Sequence, residues 1–253
     1  MIIPDSSKKY GFVTTGMGAH TGRTIMFRDL QALLSAGTTD SSLQDYQDAV
    51  LTENVLLKPT ESARYESFRR LKQLYGLDQR IIVFRSLRML WEQNLESQPL
   101  LALLCAIARD PLLRATVDAV ISMPADTIVT APFFGQIIDE LYPDRLTDKT
   151  LASVGQNIAS SWTQSGHFTG RTQKVRKLIL PHPILTTYAL FLAYLCDVRG
   201  DALFDSPWCG LLDTPKHILY EQAQQSSQQG WLEYRHSGAI IEFTFRHLLK
   251  DQT

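Results

Sequence analysis

Between Ser165 and His182 the chain reads SGHFTGRTQKVRKLILPH, with four fixed positive charges, two histidines and no carboxylate. Guanidinium and ammonium groups at this density suit phosphate oxygens, arginine as a planar two-pronged fork and lysine as a point charge. The run lies in a longer segment, 149–196, that has no Asp or Glu and sums to +5 through Lys149, Arg171, Lys174, Arg176 and Lys177. A second block, 62–88, also sums to +5, because Arg64, Arg69, Arg70, Lys72, Arg80, Arg85 and Arg88 outweigh Glu66 and Asp78. The whole chain is −1, so the remainder carries −11. A near-neutral total thus conceals two basic blocks in an acidic frame. Two such blocks point to a polyanionic partner, since neutralising phosphates releases condensed counterions. The plainer alternative for each block alone is a solvated helix face.

Chemistry of other kinds leaves little trace. The glycine-rich string Gly16-Met17-Gly18-Ala19-His20-Thr21-Gly22-Arg23-Thr24 lacks the lysine and the glycine spacing of a phosphate-binding loop. It reads as a flexible arm before the first helix. The tetrapeptide TGRT occurs at 21–24 and again at 169–172, each time beside a histidine. The histidines, at 20, 167, 182, 217, 236 and 247, form no HExxH and no Cys/His pairing suited to zinc. No GxSxG elbow marks a nucleophilic serine, although triads assemble in space and a missing motif does not exclude one. These patterns set binding above catalysis, with no cofactor and no metal expected.

Cys105, Cys196 and Cys209 make an odd count without a CxxC pair, which fits reduced thiols and a cytoplasmic setting. The stretch MIIPDSSKKYGF lacks the apolar core of a signal peptide, so secretion is not expected. The uncharged run LILPHPILTTYALFLAYLC resembles a membrane span, but Pro181 and Pro183 delay a helix until about residue 184. What remains is short of the roughly 20 apolar residues a bilayer requires, and the run reads as a buried core helix.

Helical periodicity must position these groups. Residues 24–35 carry Ile25, Phe27, Leu30, Leu33 and Leu34 on one stripe before Gly37, and Ser41 or Ser42 caps a second helix with Leu43, Tyr46 and Val50. After Pro59, Thr60 caps a third, whose Phe68, Leu71 and Leu74 turn inward while Arg69, Arg70 and Lys72 form a cationic strip, up to Gly76. Further helices are predicted at 81–92, 100–108, 111–122 and 131–141. Thr147 or Asp148 opens another, with Leu151, Val154, Ile158 and Trp162 inward and Gly166 at its end. Residues 174–180 read as an extended arm or strand. Thr214-Pro215 opens a helix closed by Gly230, and strand-forming residues on either side of His236-Ser237-Gly238 predict a β-hairpin. A helix followed by a hairpin suggests a winged helix, which serves nucleic-acid binding and protein docking alike.

The expected fold is therefore mainly α, a multi-helix protein with helix-turn-helix elements and a C-terminal winged-helix-like hairpin. Its organisation reads as a flexible arm at 1–23, a helical domain with the basic helix-turn-helix at 24–143, and a second helical domain with the basic arm and winged segment at 144–253.

At Glu53-Asn54-Val55-Leu56-Leu57-Lys58, Ser62-Ala63-Arg64 and Arg69-Arg70-Leu71 the sequence resembles the BrxA family of BREX bacteriophage-defence systems. The resemblance continues through Trp91 and from Leu151 to Gly170, over the central two-thirds of the chain. Its motifs are loose, and the N-terminal glycine-rich stretch and the segment after Tyr188 look longer than the family pattern. It implies a mainly helical, non-catalytic DNA-binding accessory protein working beside a methyltransferase and ATPases, with a basic helix-turn-helix on Arg64, Arg69, Arg70 and Lys72. Together with the charge pattern, it nominates Arg64, Arg69, Arg70, Lys72, Arg171, Lys174, Arg176 and Lys177 for contacts to double-stranded DNA. The alternatives are a protein–protein adaptor of a defence complex and an RNA-binding protein.

Overall fold

Capping side chains and prolines set the helix starts of this computed structural model, which describes residues 1–237 and 240–249. Helix α1 spans Phe27–Ala36 and α2 Leu43–Leu51. Ser42 opens α2 with a reciprocal capping box, its hydroxyl accepting from the Asp45 N–H and the Asp45 carboxylate accepting from its own N–H. Helix α3, Glu61–Tyr75, starts where the Thr60 hydroxyl accepts from the Ala63 N–H and stops at Gly76, whose φ is 89°. Helix α4 spans Ile82–Trp91 and α5 Gln98–Arg109.

The single helix predicted at 111–122 is two pieces, α6 (Pro111–Ala115) and α7 (Val117–Ile121). At the break both the N–H and the hydroxyl of Thr116 donate to the Leu113 carbonyl, tightening the turn, while the hydroxyl accepts from Trp162 Nε1 at 2.9 Å. Strand β1, Ile128–Val129, leads into α8, Ala131–Leu141, and α9, Asp148–Gln164. Strands β2 (Phe168–Thr169) and β3 (Lys174–Arg176) complete a small antiparallel sheet in the order β1-β3-β2, with Ile128 opposite Val175 and Phe168 opposite Arg176.

Helix α10, Pro183–Leu195, is the buried core helix expected from the uncharged run, with every side chain from Ile184 to Ala193 inside. Among the described residues no helix is long and apolar enough to cross a membrane. The short α11 (Pro207–Gly210) and α12 (Lys216–Gln228) precede the antiparallel hairpin β4 (Glu233–Ser237) and β5 (Ile240–Thr244), in which Tyr234 stacks on Phe243. Gly238 and Ala239, in the predicted turn, lie outside the described residues. The last helix is α13, Arg246–Leu249. The chain is thus mainly helical with a small C-terminal hairpin, as its periodicity predicts.

Two organisational expectations are corrected. Residues 1–23 are no flexible arm: Ile3, Phe12, Ala19 and His20 are buried, the Val13 N–H donates to the Ala108 carbonyl, and the Ser7 hydroxyl donates to the Leu195 carbonyl. The glycines mark close packing instead, since a Cβ on Gly18 (φ 54°) would stand 2.2 Å from an Asp110 carboxylate oxygen. The boundary expected near Pro143 is likewise absent, because α8 and α9 pack on each other across it and one apolar core runs from Ile3 to Leu248.

The α8–α9 crossing is close enough to test. A Cβ on Gly155 would lie 2.5 Å from the Ala131 carbonyl oxygen and 3.0 Å from the Gly135 nitrogen, both backbone atoms. Helix propensity alone would make Gly155→Ala stabilising by about 1 kcal/mol. Overlap at the crossing instead predicts a net loss of roughly 1–3 kcal/mol in equilibrium denaturation. A variant as stable as the parent would contradict the contact.

Candidate nucleic-acid interface

Most of the cations nominated by the sequence have partners in the fold. Arg176, 1% exposed, is a core cation: Nη2 lies 2.5 Å from Asp213 Oδ1, Nη1 donates to the Lys177 carbonyl, and the guanidinium sits 5.9 Å from the Phe168 ring centroid. Lys177 pairs with Asp126 at 2.6 Å. Arg69 and Arg70 both grip Glu66, with nearest contacts of 2.8 Å, and their hydrogen bonds depress its carboxyl to about 2. Arg64 donates to the Leu51 carbonyl at the end of α2. Lys72 is exposed but stands alone on that strip.

The expectation of a free basic face on α3 is therefore corrected. Glu66 lies three and four residues before the two arginines, the helical spacing at which ion pairs form. The rest of that block is also engaged: Arg80 pairs with Asp78, Arg88 is buried against Glu92 and the Leu34 and Gly37 carbonyls, and Arg85 is buried. At the proposed wing, Lys216 on α12 is held by Asp201 and Asp205 at 2.9 and 2.6 Å.

The histidines of the opening stretch are packing groups. His167 is buried between the Ser165 hydroxyl and the Leu211 carbonyl against the Trp162 ring, and burial pushes it down to about 4. His182 caps α10, its Nδ1 accepting from the Ile184 N–H. Burial also pushes the thiols of Cys105 and Cys209 up to about 12, far from nucleophilic thiolates at neutral pH.

What stays open is a cleft of about 670 Å³ between the start of α8, the face of α9 and the β2–β3 turn. Arg171, Lys174, Gln156, Ser160, Thr130 and Thr172 line it, and no carboxylate does. Arg171 is exposed. Lys174 is only 9% exposed, its Nζ donating to the Gly170 carbonyl at 2.8 Å, and desolvation holds its ammonium below the ordinary lysine value. β-Pairing with Val129 fixes its backbone.

The same face of α9 continues to a second cavity. Gln156, Ser160 and Gln164 follow at four-residue spacing and so span about 12 Å of helix. The Gln164 amide donates to the Ser160 hydroxyl at 3.2 Å. Gln164 then lines a cavity of about 790 Å³ with Arg23, Arg28 and Lys58. The two TGRT strings thus place one exposed arginine, Arg23 or Arg171, at each end of this polar face. Composition by blocks missed Arg23 and Arg28, and the repeated tetrapeptide was the available signal.

Between the two ends lies a constellation that no sequence motif announced. His20 Nε2 is 2.8 Å from Ser161 Oγ, and His20 Nδ1 is 2.9 Å from Asp110 Oδ2. The arrangement has the connectivity of a Ser-His-Asp triad. All three side chains are 1% exposed or less, and Ser161 Oγ already accepts from the Ile25 N–H and lies 2.8 Å from the Asn157 carbonyl. The hydroxyl meets no solvent, so the constellation works as a clamp holding the N-terminal segment to α9.

No protein-family model matches the chain, and no curated protein is similar to it.

The clamp sets an acid limit. Burial alone would raise the Asp110 carboxyl, but His20 and N–H donors including those of Ala19 and Leu113 outweigh it and hold the group below its ordinary 3.8. A carboxyl depressed by folding contributes stability above its unfolded pKa and loses it as pH falls through the folded one. Asp110→Asn sets an amide against donors on both oxygens and is expected to cost roughly 3–5 kcal/mol at pH 7. Urea titrations at pH 7 and pH 3 should show that cost shrinking on acidification, and an equal cost at both would refute the assignment.

Proposed function

We propose that this chain is a non-catalytic DNA-binding accessory protein that holds the phosphate backbone along the polar face of α9. The observation that carries this reading is the cleft in which Arg171 and Lys174 stand without a lining carboxylate. A buried cation lacking a counter-charge costs solvation free energy, and a phosphate oxygen seated in the cleft would recover it. Arg23, at the other end of a face that spans about 12 Å of helix, gives a second point of attachment, so an extended polyanion fits better than a single ion. Work beside a methyltransferase and ATPases in a BREX-like defence system is proposed on the loose resemblance at 53–58 and 69–71.

A protein adaptor is the second reading, supported by Leu178 and Leu180, which stand 59% and 89% exposed on the extended segment after β3. Changing both to serine leaves DNA binding intact under the first reading and removes partner docking under the second.

Fluorescence anisotropy with a short duplex across ionic strength tests the proposal. Three cations on phosphates predict a slope of log K against log salt of about −3, falling by about one unit in Arg171→Ala. Arg69→Ala, which removes an arginine already bound to Glu66, is expected to leave affinity unchanged. Binding indifferent to salt, or lost in Arg69→Ala but not in Arg171→Ala, would overturn the reading. Preference for double-stranded RNA or single strands in competition would move the same groove to those ligands.

A further inference from the structure

We propose that the cavity at the start of α1, which shares Arg23 with the proposed DNA-binding face, is also a binding site for a small phosphate monoester of nucleotide size. Its volume, about 790 Å³, falls within the range of small-molecule pockets. Arg23, Arg28 and Lys58 line it against a single carboxylate, Asp29, which is a formal excess of +2. A phosphate monoester carries about −1.5 to −2 at neutral pH, so ligand and lining balance.

The backbone at the site is shaped for an anion. Met26, at φ 50°, occupies the left-handed region that non-glycine residues rarely adopt, and no side chain takes the usual capping position on α1. The Phe27 N–H donates to Gln164 Oε1 at 3.1 Å. The next two N–H groups, of Arg28 and Asp29, have no acceptor among the described residues. Free donors at a helix start combine with the positive end of its dipole to favour an anion.

A second observation, from a different element, points to the same ligand. Ser67 on α3 lines the cavity, is only 5% exposed, and its hydroxyl has no hydrogen-bond partner among the described residues. That hydroxyl is left free to donate to a phosphate oxygen seated in the cavity. Lys58 is held in place as well, its backbone N–H and carbonyl both bound to the Asn54 side chain and its ammonium resting on Asp29 at 2.8 Å. Met26, Phe27 and Ala63 give the cavity an apolar wall for the organic part of the ligand.

Calorimetric titration of the full chain with AMP, adenosine and inorganic phosphate tests the site. AMP is expected to bind once per chain, with adenosine and inorganic phosphate each weaker by about tenfold or more. Arg28→Ala is expected to weaken AMP by about tenfold and Ser67→Ala by about threefold, while Arg171→Ala leaves it unchanged. The exposure of Arg28 makes its removal harmless to folding. Adenosine or phosphate binding as tightly as AMP, an unaffected Arg28→Ala, or no AMP binding up to about 10 mM would overturn the proposal. Loss of DNA binding with AMP binding retained, as Arg171→Ala should give, separates a failure here from a failure of the DNA reading.

Discussion

The contact between His20 Nδ1 and Asp110 Oδ2, at 2.9 Å, is the constraint on which the polar face of α9 depends. Asp110 accepts from the N–H groups of Ala19 and His20 on one side and of Leu112 and Leu113 on the other. It therefore caps α6 and the N-terminal segment with one carboxylate. His20 carries the link onward to Ser161 in the last turn of α9, and Asn157 returns it by donating to the His20 carbonyl. The cations at the two ends of the 156–164 face keep their spacing because the helix is pinned between them. Removing either side chain would leave polar groups unsatisfied in a sealed interior.

The other arginines are spent on the backbone of the fold itself. Arg64 donates to the last residue of α2, Arg88 to the end of α1, Arg114 to the Ile107 and Ala108 carbonyls of α5, and Arg199 to Tyr194 near the end of α10. Each guanidinium satisfies carbonyls that a helix end leaves without partners and stands at the negative end of the helix dipole. A sum of formal charges along the chain treats such residues as surface cations. In the block at 62–88, Arg85 likewise donates to the Leu248 carbonyl of α13, and Arg69, Arg70 and Arg80 are matched by Glu66 and Asp78.

What the sequence disclosed follows the range of the interactions. Capping by Ser42, Thr60 and Thr147, the stop at Gly76, the apolar α10 and the β4–β5 pairing are local, and periodicity with turn chemistry was enough to read them. The break at Thr116 was hidden because it depends on Trp162, forty-six positions away. The packing of residues 1–23 was hidden because glycines read as freedom when their role is to let Asp110 approach. Of the nominated cations, Arg171 and Lys174 come together in the cleft, whereas Arg176, further along β3, is buried against Asp213. Lys174 and Arg176 point to the same face of β3, two residues apart, and only the distant Asp213 separates their roles, which no local pattern carries.

The contact between Gly135 on α8 and Gly155 on α9 has a mechanical consequence. Backbone meets backbone there, with Ala131, the first residue of α8, directly over Gly155 and also lining the cleft beside Arg171. Rotamer changes cannot widen such a seam. One wall of the cleft is thus a rigid calliper jaw, and any guest of the proposed interface would have to fit it by shape before electrostatic attraction had any say.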